Sequence, residues 1–337
     1  MKVQDILMLM KTLVTAIITA FNEEDDIGRC IDSLLNQDFD SMEILVVDDG
    51  SRDRTPNIVE SYVQSDPSKV RLIRLPRNLG SGNARNIGAL SANGDILVFL
   101  DADMTFPRDF IRRLVSPISD GSCVATCYEY EVIANTDNPW VKVQGQTIRG
   151  FPNANFTWAI RAIRRDVFLR HCGYDAKYGY FDDVSFYERT GISSVVVRGL
   201  HVYHYNPSSV KQIFRKSYWI GLSFRARYSR DKAELLKILL KRLFDISPII
   251  GACLTVFGAL FVAAELLLLG SFMVVSFKMK ILKASGLKEK ILLRVFYVPI
   301  YRWIKSLGIW LGFLRSLTGK RYVNVPLNLG SSISSMV

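Results

Sequence analysis

Two carboxylates one residue apart close the apolar run Val98-Phe99-Leu100-Asp101-Ala102-Asp103. A β-strand alternates its faces, so residues two apart project to the same side, and Asp101 and Asp103 converge on one point. At the carboxyl edge of a sheet that point suits one hard cation, Mg2+ or Mn2+, sharing its ligands with substrate phosphates. An Asp-x-Asp pair also caps strands and helices, so its meaning depends on its neighbours. Two other polar pairs, Asn22-Glu23 and Asp48-Asp49, follow earlier apolar runs in the same way.

The elements that must position these pairs alternate along the first hundred residues. Leu13–Thr19, Glu43–Val47, Val70–Leu75 and Ile96–Leu100 read as strands. Asp25–Asn36, Pro56–Gln64 and Ala84–Ala92 read as helices, the first from apolar spacing at Ile27, Ile31, Leu34 and Leu35, the second from proline at its start. Such alternation predicts βαβ units and a mostly parallel sheet flanked by helices. Ligands on such sheets sit beyond the carboxyl ends of the strands, where the three polar pairs fall. Beyond Phe110 the pattern loosens, and the stretch from Thr126 to Arg165 mixes short β runs with aromatics, which suits an acceptor-side half-domain.

Charge divides the 337 residues. Residues 1–210 carry 22 Lys/Arg against 27 Asp/Glu, whereas residues 211–337 carry 21 against 5, giving the net +11. The basic part surrounds an apolar block, Ile246–Phe277, whose only ionisable side chain is Glu265. That block exceeds the roughly 20 apolar residues a bilayer span needs. A soluble domain tethered to an anionic membrane surface is expected. Nucleic acid is a poor partner, because the basic residues flank a hydrophobic block and do not form a solvated patch. The expected organisation is a catalytic domain over 1–210, basic aromatic interfacial helices over 211–243, a membrane domain of about three helices over 244–320, and a tail over 321–337. The three helices would run from Leu235 to Ala263, Glu265 to Lys283 and Ile291 to Leu317. Arg294, Arg302, Lys305 and Arg315 make interfacial burial of the third compete with spanning, and two spans are the alternative. Cys123 and Cys127 with His171 and Cys172 lack the short paired spacing of zinc sites, so the cysteines read as reduced, buried thiols.

The motifs together resemble family 2 glycosyltransferases of the GT-A fold, over about residues 13–230. Thr19-Ala20-Phe21-Asn22-Glu23-Glu24 and Ser33-Leu34-Leu35-Asn36-Gln37 look like the first strand and helix of that family. Val46-Val47-Asp48-Asp49-Gly50-Ser51 resembles its nucleotide-binding turn, and Asn78-Leu79-Gly80 with Ala84-Arg85-Asn86-Ile87-Gly88 its next segment. Leu100-Asp101-Ala102-Asp103 matches its metal motif. Arg164-Arg165-Asp166, Gly173-Tyr174-Asp175 and Phe181-Asp182-Asp183 are similar to its acceptor half.

The resemblance implies roles for individual residues. Asp49 accepts hydrogen bonds from the nucleobase or its ribose, with Ala20, Phe21 and Glu23 lining that pocket, and Asp48 either joins it or caps the turn. Gly80 and Gly82 let the backbone approach the nucleotide. Arg85 bridges Asp48 or Asp101 and the donor, or forms a structural ion pair. Asp103 ligates Mn2+ or Mg2+, with Asp101 on the metal or the donor ribose and His204, just after the strand Val195–Val197, completing the metal or contacting the diphosphate. Asp183, with Asp182 second, is the base an inverting transfer to a hydroxyl needs. Gln212-Ile213-Phe214-Arg215 with Trp219 is similar to the Gln-x-x-Arg-Trp motif of cellulose synthase-type enzymes, although Lys216 stands where Trp would follow Arg.

A membrane-tethered enzyme of this kind implies a nucleotide-sugar donor, with GDP-mannose expected by similarity to dolichol-phosphate mannose synthases. It implies a polyprenyl-linked glycan acceptor at the cytosolic face of the cell membrane, as in N-glycan or cell-envelope glycan assembly. A dolichol-phosphate sugar synthase, whose anionic acceptor needs no base, and a UDP-sugar-dependent polysaccharide synthase are the alternatives. A non-catalytic scaffold predicts degraded site residues, yet Asp49, Asp101, Asp103 and Asp183 are all present.

Overall fold

The computed structural model describes residues 12–145, 148–151, 153–229, 231–253 and 292–318. They fall into two compact units: residues 12–134 with 148–205, and residues 135–145 with 206–318 as far as described.

In the first unit, strands and helices alternate as β1 (Val14–Ala20), α1 (Ile27–Leu35), β2 (Met42–Asp48), α2 (Thr55–Ser65), β3 (Val70–Arg74), α3 (Ser81–Ser91) and β4 (Ile96–Asp101). The four strands are parallel in the order β3-β2-β1-β4. Both faces of this sheet are covered, which is why β1, β2 and β4 are near-continuous aliphatic runs. Ile18, Val46 and Val98 pack on one face with Ile27, Ile31 and Leu34 of α1. Ile17, Leu45, Val47 and Phe99 pack on the other with Ala84 and Ile87 of α3. Each of the larger side chains, from valine to phenylalanine, contributes about 1.5–3 kcal/mol by leaving water. Gly88 lets α3 lie close, since a Cβ there would stand 2.6 Å from Ile17 Cγ2.

Register levels the strand ends. Ala20 pairs with Asp48, Asp48 with Arg74, and Thr19 with Asp101. The chain therefore leaves the sheet at one edge carrying Asn22-Glu23, Asp48-Asp49 and Asp101 side by side.

The rest of the unit adds β5 (Met104–Thr105), α4 (Phe110–Ser119), β6 (Ala125–Ile133), β7 (Ile148–Gly150), β8 (Phe156–Thr157), β9 (Ala162–Arg164), α6 (Arg165–Arg170), a 3-10 segment (Ala176–Phe181), α7 (Asp182–Thr190) and β10 (Ser194–His204); a short α5 (Pro139–Lys142) belongs to the second unit. The ten strands make one mixed sheet rather than the mostly parallel one expected. β9 runs antiparallel to β4 and β6, and β5, β7 and β8 also pair antiparallel. These four have two or three residues each, too few to show a hydrophobic period in sequence. β10 is longer than the expected Val195–Val197 run because a register shift between Val197 and His201 lets it resume after Gly199. His204 therefore ends a strand and does not follow one.

The second unit is helical: α8 (Val210–Arg227), α9 (Lys232–Cys253), a π turn (Leu293–Tyr297) and α10 (Val298–Leu317). α8 and α10 meet backbone to backbone, since a Cβ on Gly221 would lie 2.1 Å from Ile309 O and one on Gly312 2.0 Å from Tyr218 O. Among the described residues no helix is long and apolar enough to cross a membrane. Arg302, Lys305 and Arg315 interrupt α10, the expected third span. Most of the Ile246–Phe277 block, the expected second span and the 321–337 tail lie outside the described residues.

Candidate active site

The loops after β1 and β2 are tied together reciprocally. Asn22 N donates to Ser51 Oγ at 2.8 Å and Arg52 N donates to Asn22 Oδ1 at 2.8 Å. Glu23 N donates to Thr55 Oγ1 at 2.8 Å. Asn22 holds φ +55°, a left-handed conformation asparagine tolerates. Gly50, at φ +74°, admits no side chain, because a Cβ would stand 2.6 Å from the Arg77 carbonyl carbon.

Beside these loops lies a cleft of about 600 Å³ lined by Phe21, Asn22, Asp48, Gly50–Arg52 and Arg74–Asn78. Arg52, Arg74 and Arg77 give it a cationic rim over an acidic floor at Asp48, a charge pattern suited to a phosphate-bearing ligand. Burial pushes the Asp48 carboxyl above its ordinary pKa.

Of the expected base-pocket residues, Phe21 and Asp48 line this cleft, whereas Ala20, Glu23 and Asp49 do not. Asp49 instead holds the loop before α3: Leu79 N donates to its Oδ1 at 2.6 Å and Gly80 N to its Oδ2 at 2.9 Å. Burial outweighs these two amides and pushes the Asp49 carboxyl up to about 7. Ala20 contributes its carbonyl, which accepts from Asp49 N at 2.8 Å. Gly80 precedes α3 at φ +91°, and Gly82 faces Ala176 Cα at 3.4 Å from its would-be Cβ.

A second cluster forms where β4, α3, α7 and β9 meet. Arg85, only 7% exposed, donates from Nη1 to Asp182 Oδ2 and from Nη2 to Asp101 Oδ1, each at 2.8 Å. Its bridge therefore runs from Asp101 to Asp182, and not to Asp48 as one expectation had it. The reason is position: residue 85 lies on the turn of α3 that faces the end of β4. Arg161 Nη1 lies 3.6 Å from Asp101 Oδ2. Burial alone would raise the Asp101 carboxyl, but Arg161 and Arg85 hold it well below the usual carboxylate range. Burial pushes Asp182 up to about 6 against the pull of Arg85 and with the push of Asp183.

Asp182 and Asp183 open α7, with Asp183 N donating to Asp182 Oδ1 at 2.9 Å. The two carboxylates divide their work. Asp182 is 3% exposed and bound to Arg85, whereas Asp183 Oδ1 is buried with no hydrogen bond from within the protein. Burial and then the Asp183 charge push the neighbouring Tyr174 hydroxyl well above its ordinary range. Of the pair, Asp183 is the one outside the ion pair with Arg85.

Asp103 projects beyond the strand end toward β10, and His204 Nε2 lies 3.4 Å from its Oδ2. Among the described residues no group of three or more His, Cys, Asp or Glu side chains gathers as a metal site. Asp101, expected as a shared ligand, has both oxygens directed at arginines. The carboxylate and imidazole of Asp103 and His204 still fit a divalent ion that draws further ligands from phosphate oxygens, a mixed donor set suited to Mn2+.

Arg161 was not foreseen. Its signal was available as a lone cation in the apolar run Trp158-Ala159-Ile160-Arg161-Ala162-Ile163, which demands a buried partner. Gln212, Arg215 and Trp219 lie on α8 of the second unit. Gln212 Oε1 accepts from Ser208 N at 2.8 Å while Ser209 Oγ accepts from Gln212 N at 3.3 Å, so both groups serve the cap of α8.

A mixed α/β sheet with a cleft and acidic groups at its carboxyl edge is a GT-A-like arrangement. Residues 15–173 match the family model described as Glycosyl transferase family 2. The chain is 44% identical over 102 residues to the succinoglycan biosynthesis protein ExoO of Rhizobium meliloti, covering 30% of this chain and 28% of that protein. It is 29% identical over 147 residues to the putative glycosyltransferase EpsH of Bacillus subtilis, covering 44% and 42%. The matched part thus spans less than half the length of either relative. Among solved structures, the mannosyltransferase PcManGT from Pyrobaculum calidifontis, in complex with GDP-Man and Mn2+, shares the fold with a TM-score of 0.51 at 18% identity, over 92% of this chain and 88% of that one. The family model and these relatives make this segment of the chain similar to glycosyltransferases.

Proposed function

We propose that the protein is a metal-dependent, inverting glycosyltransferase that moves a hexose from a nucleotide-sugar donor to a lipid-linked glycan. The observation that carries this reading is the gathering at one sheet edge of Asp101 and Asp182, joined by Arg85, with Asp183 next to Asp182 and the Asp103–His204 pair just beyond β4, beside a cleft rimmed by arginines. The cleft would hold the nucleotide, and Asp103 with His204 would hold Mn2+ or Mg2+. When bound, that ion supplies positive charge to the departing diphosphate. Arg85 and Arg161 keep Asp101 ionised and rigid, and Asp183 takes the proton from the attacking hydroxyl.

GDP-mannose is the proposed donor, on the resemblance to dolichol-phosphate mannose synthases; the ligands of PcManGT suggest the same donor and Mn2+. The proposed acceptor is a polyprenyl-phosphate-linked glycan at the cytosolic face of the cell membrane. Its support is the basic, apolar C-terminal third and the biosynthetic name of the Rhizobium relative. A dolichol-phosphate sugar synthase is the second reading, disfavoured because Asp183 supplies a base that a phosphate acceptor does not need.

The test is nucleotide release by purified full-length protein with GDP- and UDP-sugars and Mn2+, with Asp103→Ala as the blank. Metal-dependent turnover of one donor class, absent in Asp103→Ala, supports the reading. No metal-dependent turnover or binding of any donor refutes it.

A further inference from the structure

Positive charge concentrates in the second unit without matching acids. α8, α9 and α10 together carry twelve Lys and Arg residues against Glu234 and Asp245. Glu234 is taken by Lys237 at 3.6 Å. Asp245 accepts from Ser306 Oγ at 3.0 Å and from Arg242 Nη1 at 3.3 Å, which ties α9 to α10.

On the other side of α10, a Cβ at Gly308 would stand 2.8 Å from Ser217 Cβ and 2.9 Å from Phe214 O, so this part of α8 abuts the same turn. Lys305 lies on α10 next to Ser306, which meets α9, and one turn before Gly308, which meets α8, so the charges of Lys216 from α8 and of Lys241 and Arg242 from α9 act on it. Burial, followed by the charges of Arg242 and Lys216, pulls the Lys305 ammonium below its ordinary pKa, with Asp245 opposing. Arg242 Nε is buried and makes no hydrogen bond within the protein. A solvated basic face would not show these features, since exposed lysines turn outward and separate. Partly buried cations of one sign call for a counter-charge.

We infer that Lys216, Lys241, Arg242 and Lys305 form a binding site for a phosphate-bearing anion, with Asp245 and Ser306 fixing the Arg242 guanidinium. A phosphate or diphosphate supplies multiple acceptor oxygens and the missing negative charge. The group arrives either as a free anion or as a lipid headgroup. Exposed Leu236, Leu240 and Leu243 on α9 and Leu307, Leu311 and Leu314 on α10 offer apolar surface on the same helices for the lipid case.

The test uses the full chain with divalent metal chelated. One arm follows thermal stability against inorganic pyrophosphate. The other follows flotation with phosphatidylcholine vesicles, with and without phosphatidic acid. The variants are Lys305→Met and, at an exposed position, Lys241→Gln; Asp103→Ala serves as the donor-site control. Recovery on phosphatidic acid vesicles alone, reduced several-fold in both lysine variants and kept in Asp103→Ala, assigns a lipid headgroup. A rise in Tm with pyrophosphate that both lysine variants lose and Asp103→Ala keeps assigns a free anion. Lys305→Met without ligand is expected to melt higher, because a poorly neutralised cation has gone. Binding that is absent in both arms, or unchanged in the lysine variants, overturns the inference, as does a lower Tm in Lys305→Met. Because binding and not transfer is read, these outcomes are independent of the glycosyltransferase reading.

Discussion

Arg85 is the side chain whose loss should be felt most widely. Arg85→Met keeps much of the side-chain volume but withdraws a buried guanidinium from Asp182 and Asp101, each bound at 2.8 Å. Breaking a buried ion pair on one side costs about 3–5 kcal/mol, because the abandoned charge stays buried. Asp101 retains Arg161 at 3.6 Å and is partly spared, so the burden falls on Asp182, which keeps the Asp183 amide at 2.9 Å. Asp182→Asn is milder, about 1–2 kcal/mol, since it removes a charge that burial already opposes while keeping one acceptor for Arg85. In the double variant neither the arginine nor the carboxylate charge remains, so the two losses overlap by about 1–3 kcal/mol. For a unit of this size, 1 kcal/mol moves Tm by about 2–4 °C, which places Arg85→Met roughly 6–20 °C below the parent in melts followed by circular dichroism. If Arg85→Met lies within about 1 kcal/mol of the parent, or if the two substitutions add without coupling, the clamp is not a clamp.

Three further outcomes are expected. Asp49 holds its proton near pH 7 when folded against 3.8 as an ordinary carboxyl, so between those values the folded state binds the extra proton. Lowering the pH from 8 to 6 therefore adds stability from this group, and Asp49→Asn should flatten that part of a urea-stability profile; an unchanged slope refutes the assignment. Gly50→Ala, forced to φ +74° with its Cβ against the Arg77 backbone, should lose about 1–3 kcal/mol and raise the donor KM, since Arg77 lines the cleft. Asp183→Asn should lower kcat about 10²–10⁴-fold with donor KM unchanged, the mark of a missing base; a loss confined to KM would assign it to binding.

The front half of the fold was legible because its strands and helices are long enough to show their periods. β1, β2, β3 and β4 and the three helices between them lie within a few residues of where aliphatic runs and the Ile27-Ile31-Leu34 spacing put them. What the sequence could not convey is pairing. β9, only Ala162–Arg164, lies beside β4 because Ala162 and Ile163 fill the antiparallel register against Val98 and Leu97. No local pattern of three residues specifies that neighbour. The long β10 was missed for a different reason. Arg198 and Gly199 interrupt its alternation at the register shift, so only Val195–Val197 read as strand.

The site was legible as a list of acids and illegible as a set of pairs. Alternation along β4 made Asp101 and Asp103 look equivalent, because both leave the same strand end on the same side. Their surroundings separate them: Asp101 meets Arg85 from α3 and Arg161 from the loop before β9, whereas Asp103 meets His204 from β10. An aspartate held by two arginines is a poor metal ligand, since an incoming dication would have to displace or crowd two cations already there. The same arginine that binds Asp101 also binds Asp182, and so pins the first turn of α7 to the end of β4. Asp183, the next residue, inherits that fixed position without sharing the ion pair. The division follows from Arg85 and Arg161: one member of each acidic pair, Asp101 or Asp182, is held by a buried guanidinium, and the other, Asp103 or Asp183, stands beside it outside that ion pair.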